Sequence, residues 1–256
     1  MSELEPSDLQ GVRSMAGKLV TSLDPGYSAL GSSGGIGHAI ANCLEADPNC
    51  SNTVQVLRRD GQLDITDEES VHRAADRFQS TSFDLIVCAT GALTIDDAEP
   101  EKSIGQISQN RHDEPVCRQC HWTGIVTEVL RSVARQEETG DLRIPVGARR
   151  VDGDNQLGGW ISYRSSKAAL NQIVHTAAIE VSRANPASVV VAMHPGSVAT
   201  SLSDGFSSGH ERSEQDDAAR SVLQALDALE PANTGGFFAY DGSSIVWHQT
   251  SQMLRW

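Results

Sequence analysis

The chain has 256 residues, of which 39% are hydrophobic and 21% are charged, and its formal net charge is -14. This length and composition are typical of one large globular core. Because the acidic excess repels phosphate backbones and acidic membrane faces, neither nucleic acid nor a membrane is expected as a partner. The N-terminus has no basic start followed by an apolar run, and no window approaches the roughly 20 apolar residues of a membrane span, so we expect a cytoplasmic protein.

Short β-prone runs alternate with longer helical stretches along the chain. Several runs are apolar without alternation, which is typical of strands covered on both faces. The predicted strands are residues 27–31, 53–57, 84–89, 142–147, 188–193 and 236–240, and the predicted helices are 36–46, one beginning at Thr66, 165–183 and 214–229. This alternation predicts a doubly wound parallel sheet, a three-layer α/β/α Rossmann-like fold in a single domain.

The first residues stand outside this order. We predict an N-terminal extension over residues 1–24, packed or disordered, with an oligomer arm as the less favoured reading, and an α/β domain over residues 25–256. The domain contains no internal repeat or linker.

A glycine-rich turn, GSSGGIG, follows the first predicted strand and places Gly31, Gly35 and Gly37 at the spacing G-x-x-x-G-x-G. A dinucleotide pyrophosphate needs backbone amides and a helix N-terminus close by, and a Cβ at these positions would keep it away. The location between the first strand and the first helix favours a phosphate cradle over a mere tight turn. Ser33 and Ile36 belong to the same predicted contact set.

The second predicted strand is followed by Arg58, Arg59 and Asp60. NAD enzymes usually keep an acid near this place, whereas arginine accommodates the 2′-phosphate of NADP. The two arginines precede the acid, which favours NADP(H) over NAD(H), with a solvated strand end as the alternative. Further on, Asp64 and its neighbour Ile65 lie in the sequence LDIT and could contact the adenine, or could belong only to a loop.

The strongest chemical signal is the pair Tyr163 and Lys167 in the sequence YRSSK. Positions four apart share one face of a helix, so the ammonium can lie beneath the phenol hydroxyl. A nearby cation lowers the pKa of a phenol towards working pH, which allows proton transfer to or from a substrate oxygen. Lys167 could also hold the nicotinamide ribose. The Y-x-x-x-K pattern is common in isolation and becomes specific together with the upstream glycines.

These motifs resemble the short-chain dehydrogenase/reductase family, and within it the C-factor-like branch. The matching motifs are GSSGGIG, LDITDEES, CATGAL, PEKSI, DNQLGGWISYRSSKAALN, MHPGSVATSL and TGGFFAYDGS. They occur in the family's order over most of the chain beyond the extension. The resemblance implies a nicotinamide cofactor and hydride transfer between it and a small carbonyl or alcohol, with Tyr163 as general acid/base.

The resemblance also implies further contacts to the cofactor. Ala89 and Gly91 would approach its adenosine side. The segment carrying Pro195, Gly196, Val198 and Thr200 would close over the nicotinamide, and residues 201–212 would form a mobile substrate lid. Family members commonly pair through the helices corresponding to the Cys120 and Tyr163 segments, which implies a homodimer.

Three departures from the family's pattern matter. Arg150 and Val151 stand where relatives usually carry a serine that hydrogen-bonds the substrate carbonyl, and a one-residue gap would bring Asp152 there instead. A carboxylate would disfavour a developing oxyanion. An alternative function is therefore a catalytically weak or inactive nucleotide-binding protein of the same fold that acts through a partner or as a cofactor sensor. At the second departure, CATG, we expect Cys88 to be a buried strand thiol.

The third departure is CRQCHW, in which Cys117, Cys120 and His121 form the pattern C-x-x-C-H. This pattern is typical of haem attachment and supplies three ligands of a zinc site. The resemblance instead places His121 where relatives carry an asparagine that holds a water beside the lysine, so His121 could take part in a proton relay. Incidental cysteines on a helix, with no metal, are the favoured interpretation; a zinc or redox role and haem are the alternatives. Five cysteines and no export signal fit thiols better than a disulfide framework.

Overall fold

The computed structural model describes residues 27–30, 35–48, 50, 53–56, 67–76, 84–89, 100–107, 143–147, 158–200 and 212–247. Within these residues, the strands are β1 (Tyr27–Leu30), β2 (Thr53–Val56), β3 (Leu85–Cys88), β4 (Arg143–Gly147), β5 (Val189–His194) and β6 (Phe237–Ala239). They form one sheet in the order β2-β1-β3-β4-β5-β6, and every neighbouring pair is parallel. The predicted doubly wound parallel sheet is confirmed.

The helices of the described residues are α1 (Gly35–Glu45), α2 (Glu68–Asp76), α3 (Ile161–Ala184) and α4 (Gln215–Asp227), and short 3₁₀ turns occupy Ile104–Gln106 and Pro231–Asn233. Two helix starts differ from the prediction. Helix α2 begins at Glu68 and not at Thr66, and the Asp67 carboxylate accepts the Glu69 N–H at 3.1 Å, as an N-cap does.

Helix α3 begins at Ile161 and not at residue 165, so Tyr163 lies inside its first turn. The residue before this start, Trp160, is a poor N-cap, and its side chain makes no capping hydrogen bond.

Helices cover both faces of the sheet. One face packs against α1 and α4 in a cluster that includes Leu44, Leu85, Val191 and Leu223, all at most 3% exposed. Burying one such leucine stabilises the fold by about 2 kcal/mol. Helix α3 covers the opposite face, where Trp247 stacks on Phe237 and meets His175 of α3 edge-on. Of the helices in the described ranges, none is long and apolar enough to cross a membrane.

Candidate cofactor and catalytic site

The predicted site segments meet at the carboxyl-terminal edge of the sheet. Helix α1 follows β1, and residues 195–200 follow β5, so both leave the sheet at this edge. Helix α3 precedes β5 and runs back towards its start, so α3 also begins here. The chain passes from β1 to β2 on one side and to β3 on the other, which makes the space between β1 and β3 a topological switch point. Open α/β sheets bind ligands at such points.

Gly35 begins α1 with φ +56, a left-handed conformation that favours glycine. A Cβ built on Gly35 would lie 3.2 Å from Cγ2 of Thr200, so the start of α1 and the segment after β5 lie against each other. Gly37 is buried and Ile36 packs against the core. The start of α1 therefore presents helix amides with no side chain at its first position, an arrangement that fits a dinucleotide phosphate.

Gly196 lies in the segment that follows β5, with φ +80. A Cβ at this position would lie 2.9 Å from Cδ1 of Tyr240, the residue after β6. The ring of Tyr240 therefore packs directly on the Gly196 backbone. Pro195 is half-buried beside it.

The rest of this segment is tied to the residues before α4. The Ala199 N–H donates to the Ser213 carbonyl at 3.0 Å, and the Ser213 N–H donates to the Ser197 carbonyl at 2.9 Å. The Gln215 side chain donates to the Ala199 carbonyl at 2.7 Å, and Val198 is 6% exposed. These contacts fix residues 197–199 at the edge of the sheet.

Tyr163 and Lys167 occupy the first turns of α3. Tyr163 is half-buried, whereas Lys167 is 7% exposed. Lys167 Nζ lies 6.0 Å from the centroid of the Tyr163 ring. The Trp160 ring packs edge-on against the Tyr163 ring, with 6.1 Å between the two centroids. The lysine and the tyrosine thus share one face of the helix beside the switch point.

The loop before α3 has an unusual backbone. Gly158, Gly159 and Trp160 adopt φ values of 72, 71 and 56, three successive left-handed residues. The Trp160 N–H donates to the Glu101 backbone carbonyl, and the Glu101 carboxylate accepts hydrogen bonds from the Ser162 N–H at 3.3 Å and from the Ser162 hydroxyl. Residues from the PEKSI motif therefore hold the start of the helix that carries Tyr163.

The cysteines of the described residues are buried or half-buried. Cys88, at the end of β3, is 1% exposed, and burial raises its pKa to about 12. It is therefore a protonated thiol inside the sheet, as the sequence predicts. Burial also raises the pKa of Cys43, with Arg220 opposing the shift. Ala89, which follows Cys88, is half-buried and packs against the core.

Several predicted site residues lie outside the described part of the chain: Gly31, Ser33, Arg58, Arg59, Asp64, Ile65, Gly91, His121 and Asp152, together with Cys117, Cys120 and the extension 1–24. The roles assigned to them stay predictions. In the described ranges, no group of three or more His, Cys, Asp or Glu side chains could hold a metal ion.

Three residues that shape this edge were not predicted from the sequence. Glu101 and Ser162 lie within motifs that the resemblance quotes, but no pattern assigns them to each other across 61 residues. Tyr240 follows β6 and packs on Gly196. The glycine pair before Trp160 was the available signal for a special backbone, since consecutive glycines punctuate a chain.

Comparisons with known proteins place the chain among oxidoreductases, although no protein-family model matches it. The 1-hydroxy-2-glutathionyl-2-methyl-3-butene dehydrogenase of Rhodococcus sp. (strain AD45) is 26% identical over 198 residues, which cover 72% of this chain and 78% of that enzyme. C-signal of Myxococcus xanthus is 35% identical over 95 residues, 36% of this chain and 52% of that protein. The NADPH-bound carbonyl reductase from chicken fatty liver has the same fold, with a TM-score of 0.67 and 20% identity over 87% of this chain and 94% of that chain.

Proposed function

We propose that the chain is an oxidoreductase of the short-chain dehydrogenase/reductase family, that it is NADP-dependent and that it acts on a small carbonyl or alcohol. Tyr163 is its general acid/base. One observation carries the proposal: the Tyr163 and Lys167 pair, the glycine turn at Gly35 and the segment at Thr200 converge on one sheet edge beside the switch point.

The residues at this edge fit a nicotinamide dinucleotide. The first amides of α1 would take the pyrophosphate, because Gly35 places no side chain of its own at the start of the helix. Arg58 and Arg59 would take the 2′-phosphate, since a guanidinium matches phosphate geometry. A bound NADPH in a carbonyl reductase of the same fold supports the choice of cofactor. When bound, the nicotinamide supplies or accepts the hydride.

Tyr163 handles the proton of the same reaction. In reduction, its hydroxyl donates a proton to the substrate oxygen, and in oxidation the phenolate accepts that proton. Lys167 favours the phenolate because an ammonium beside a phenol stabilises the charged form. Its burial strengthens this effect, since water screens the charge less. A half-buried Tyr163 is accessible enough to meet a substrate at the edge of the sheet.

The test begins with fluorescence titrations of the whole chain with NADPH and NADH, followed by turnover assays with aldehydes, ketones and quinones. We expect tighter binding of NADPH and oxidation of NADPH by at least one carbonyl class. Tighter binding of NADH would contradict the cofactor assignment. Binding of NADPH without turnover of any carbonyl or alcohol would contradict the enzymatic proposal.

A second candidate function is a weak or inactive nucleotide-binding protein that acts through a partner or as a cofactor sensor. It is motivated by the absence of a hydroxyl at Arg150, Val151 and Asp152. Val151→Ser and Asp152→Ser, made separately, distinguish the two candidates. A large gain in rate in either variant over a poorly active wild type favours a degraded enzyme, and robust wild-type turnover removes this candidate.

A further inference from the structure

Helix α3 begins without a cap of its own. Its N-cap residue, Trp160, has a left-handed backbone and makes no capping hydrogen bond through its side chain. The first N–H groups of a helix have no acceptor within the helix and need one from elsewhere. The missing acceptor is a residue 61 positions earlier in the chain.

Glu101 supplies it from residues 100–107, which lie between β3 and β4 in the chain. Its carboxylate accepts the Ser162 N–H at 3.3 Å and the Ser162 hydroxyl, and its backbone carbonyl accepts the Trp160 N–H. The backbones are in close contact, since a Cβ on Gly159 would lie 3.0 Å from the Glu101 carbonyl oxygen. Glu101 thus contacts the N-cap and the first turn together.

The burial of Glu101 shows that this contact is built into the fold. The residue is only 4% exposed, and a buried carboxylate is costly unless hydrogen bonds and positive charge compensate it. Both are present here, because the two Ser162 donors meet the carboxylate at the N-terminus of α3, where the helix dipole is positive. A carboxylate in this place stabilises the first turn, which in most helices is the part that frays.

We propose that Glu101 is a positioning residue for Tyr163. Ser162 precedes Tyr163 in the first turn, and Lys167 lies one turn further along the helix. Holding Ser162 therefore fixes the phenol relative to the ammonium. This inference rests on the proposed function, because it gives Glu101 a part in proton transfer without contact to the substrate.

Three substitutions separate the parts of this contact. Glu101→Ala removes both hydrogen bonds and the charge, Glu101→Gln keeps one acceptor without the charge, and Ser162→Ala keeps only the bond to the backbone N–H. The matched control is Glu230→Ala, which removes an exposed capping carboxylate from the 3₁₀ turn at the other edge of the sheet. Turnover is expressed per NADPH-binding site, so that unfolded protein does not count.

We expect kcat to fall by about 30-fold in Glu101→Ala, less in Glu101→Gln and about threefold in Ser162→Ala, because a displacement of about 1 Å can cost up to 100-fold. The Kd for NADPH and the KM should change by less than about threefold, and Glu230→Ala should match the wild type. In the oxidative direction, the acid limb of the pH profile should move to higher pH in Ser162→Ala, which loosens the contact but keeps the Glu101 charge. The reason is that a phenol further from an ammonium is a weaker acid.

A loss of thermal stability with unchanged kcat per site and an unmoved pH limb would overturn the proposal, because a merely structural role predicts that result. Should Glu101→Ala fail to fold, the other two variants carry the same comparison. Amide hydrogen exchange tests the contact without any turnover. Exchange over residues 161–167 should rise about tenfold in Glu101→Gln while α4 stays unchanged, and equal exchange would overturn the proposal even if the wild type proves inactive.

Discussion

The two edges of the sheet use their polar groups in opposite ways. At the amino-terminal edge, Arg143 is 3% exposed, and its guanidinium donates to the carbonyl oxygens of Leu226 and Leu229, both at 2.6 Å. A cation there satisfies carbonyls at the end of α4 and opposes the negative end of its dipole. Nearby, the buried Ser188 hydroxyl donates to the Asn185 carbonyl at 2.8 Å. The polar groups at this edge therefore satisfy backbone carbonyls.

The carboxyl-terminal edge concentrates unusual backbone instead. The residues with left-handed φ at this edge include Gly35, Gly158, Gly159, Trp160 and Gly196, while Gly235 adopts the same region in the turn before β6. For Trp160, a residue other than glycine, this conformation costs about 1 to 3 kcal/mol, and such strain is kept where the surroundings enforce it. Buried polar groups therefore occur away from the proposed site as well, whereas left-handed backbone beside half-buried polar groups concentrates at the edge that carries it.

The largest expected effect at the carboxyl-terminal edge is that of Tyr163→Phe. Removing the hydroxyl should lower kcat/KM by about 1,000-fold, the usual range for a general acid/base, with the Kd for NADPH within about threefold of the wild type. Steady-state kinetics and a fluorescence titration measure the two quantities. Equal rates in variant and wild type would discredit the assignment of Tyr163.

Arg143→Met should show the reverse pattern at the amino-terminal edge. It keeps the apolar stem but leaves the Leu226 and Leu229 carbonyls without the guanidinium, so the free energy of unfolding should fall by about 3 kcal/mol. Urea unfolding measures this loss, and kcat per NADPH site should not change. Arg73→Met is the matched control, because its exposed ion pairs with Asp67 and Glu69 are worth less than about 1 kcal/mol. A large loss of kcat per site in Arg143→Met would erase the contrast between the edges.

Gly196→Ala should damage both stability and binding. The new Cβ meets the Tyr240 ring and forces alanine into a left-handed conformation, so we expect a loss of about 2 kcal/mol in unfolding free energy and about tenfold weaker NADPH binding. Adding Tyr240→Ala removes the collision but leaves the backbone strain. We expect the double variant to recover part of the unfolding free energy and part of the NADPH affinity. Wild-type stability and binding in Gly196→Ala alone would contradict this prediction.

The smallest effect concerns Cys88 at alkaline pH. Its pKa is raised to about 12 in the folded state from the ordinary 9.0, so below pH 9 the thiol is protonated in both states and its contribution is complete. As pH rises towards 12, the unfolded chain releases a proton that the folded chain keeps, and stability falls by up to about 1.4 kcal/mol per pH unit. Between neutral pH and about pH 10, the wild type should therefore lose about 1.4 kcal/mol more than Cys88→Ala. Urea unfolding at both pH values measures this difference. Equal losses of unfolding free energy in the wild type and in Cys88→Ala would contradict the burial of the Cys88 thiol.

The sheet and its helices could be predicted from the sequence because their signals are local. Continuous apolar runs such as 84–89 mark strands covered on both faces, and the helix of residues 215–227 follows from its own periodicity. The placement of Gly35, Tyr163 and Lys167 at one edge follows from the alternation alone, since parallel strands end together.

The contacts that complete the site could not be predicted because they are not local. Trp160 is a poor N-cap by propensity, and the acceptor for the first turn of α3 comes from Glu101, far away in the chain. The packing of Tyr240 on Gly196 likewise joins the ends of two strands. No spacing rule links residues across such distances.

Amide hydrogen exchange of the whole chain with and without NADPH tests the central claim most directly, because it reads both edges of the sheet in one sample. We predict slower exchange upon binding at residues 35–37, 161–167 and 195–200, and no change at 185–188 or at Pro231–Asn233. Protection at the amino-terminal edge, or NADPH binding that leaves the first three segments unchanged, would contradict the account.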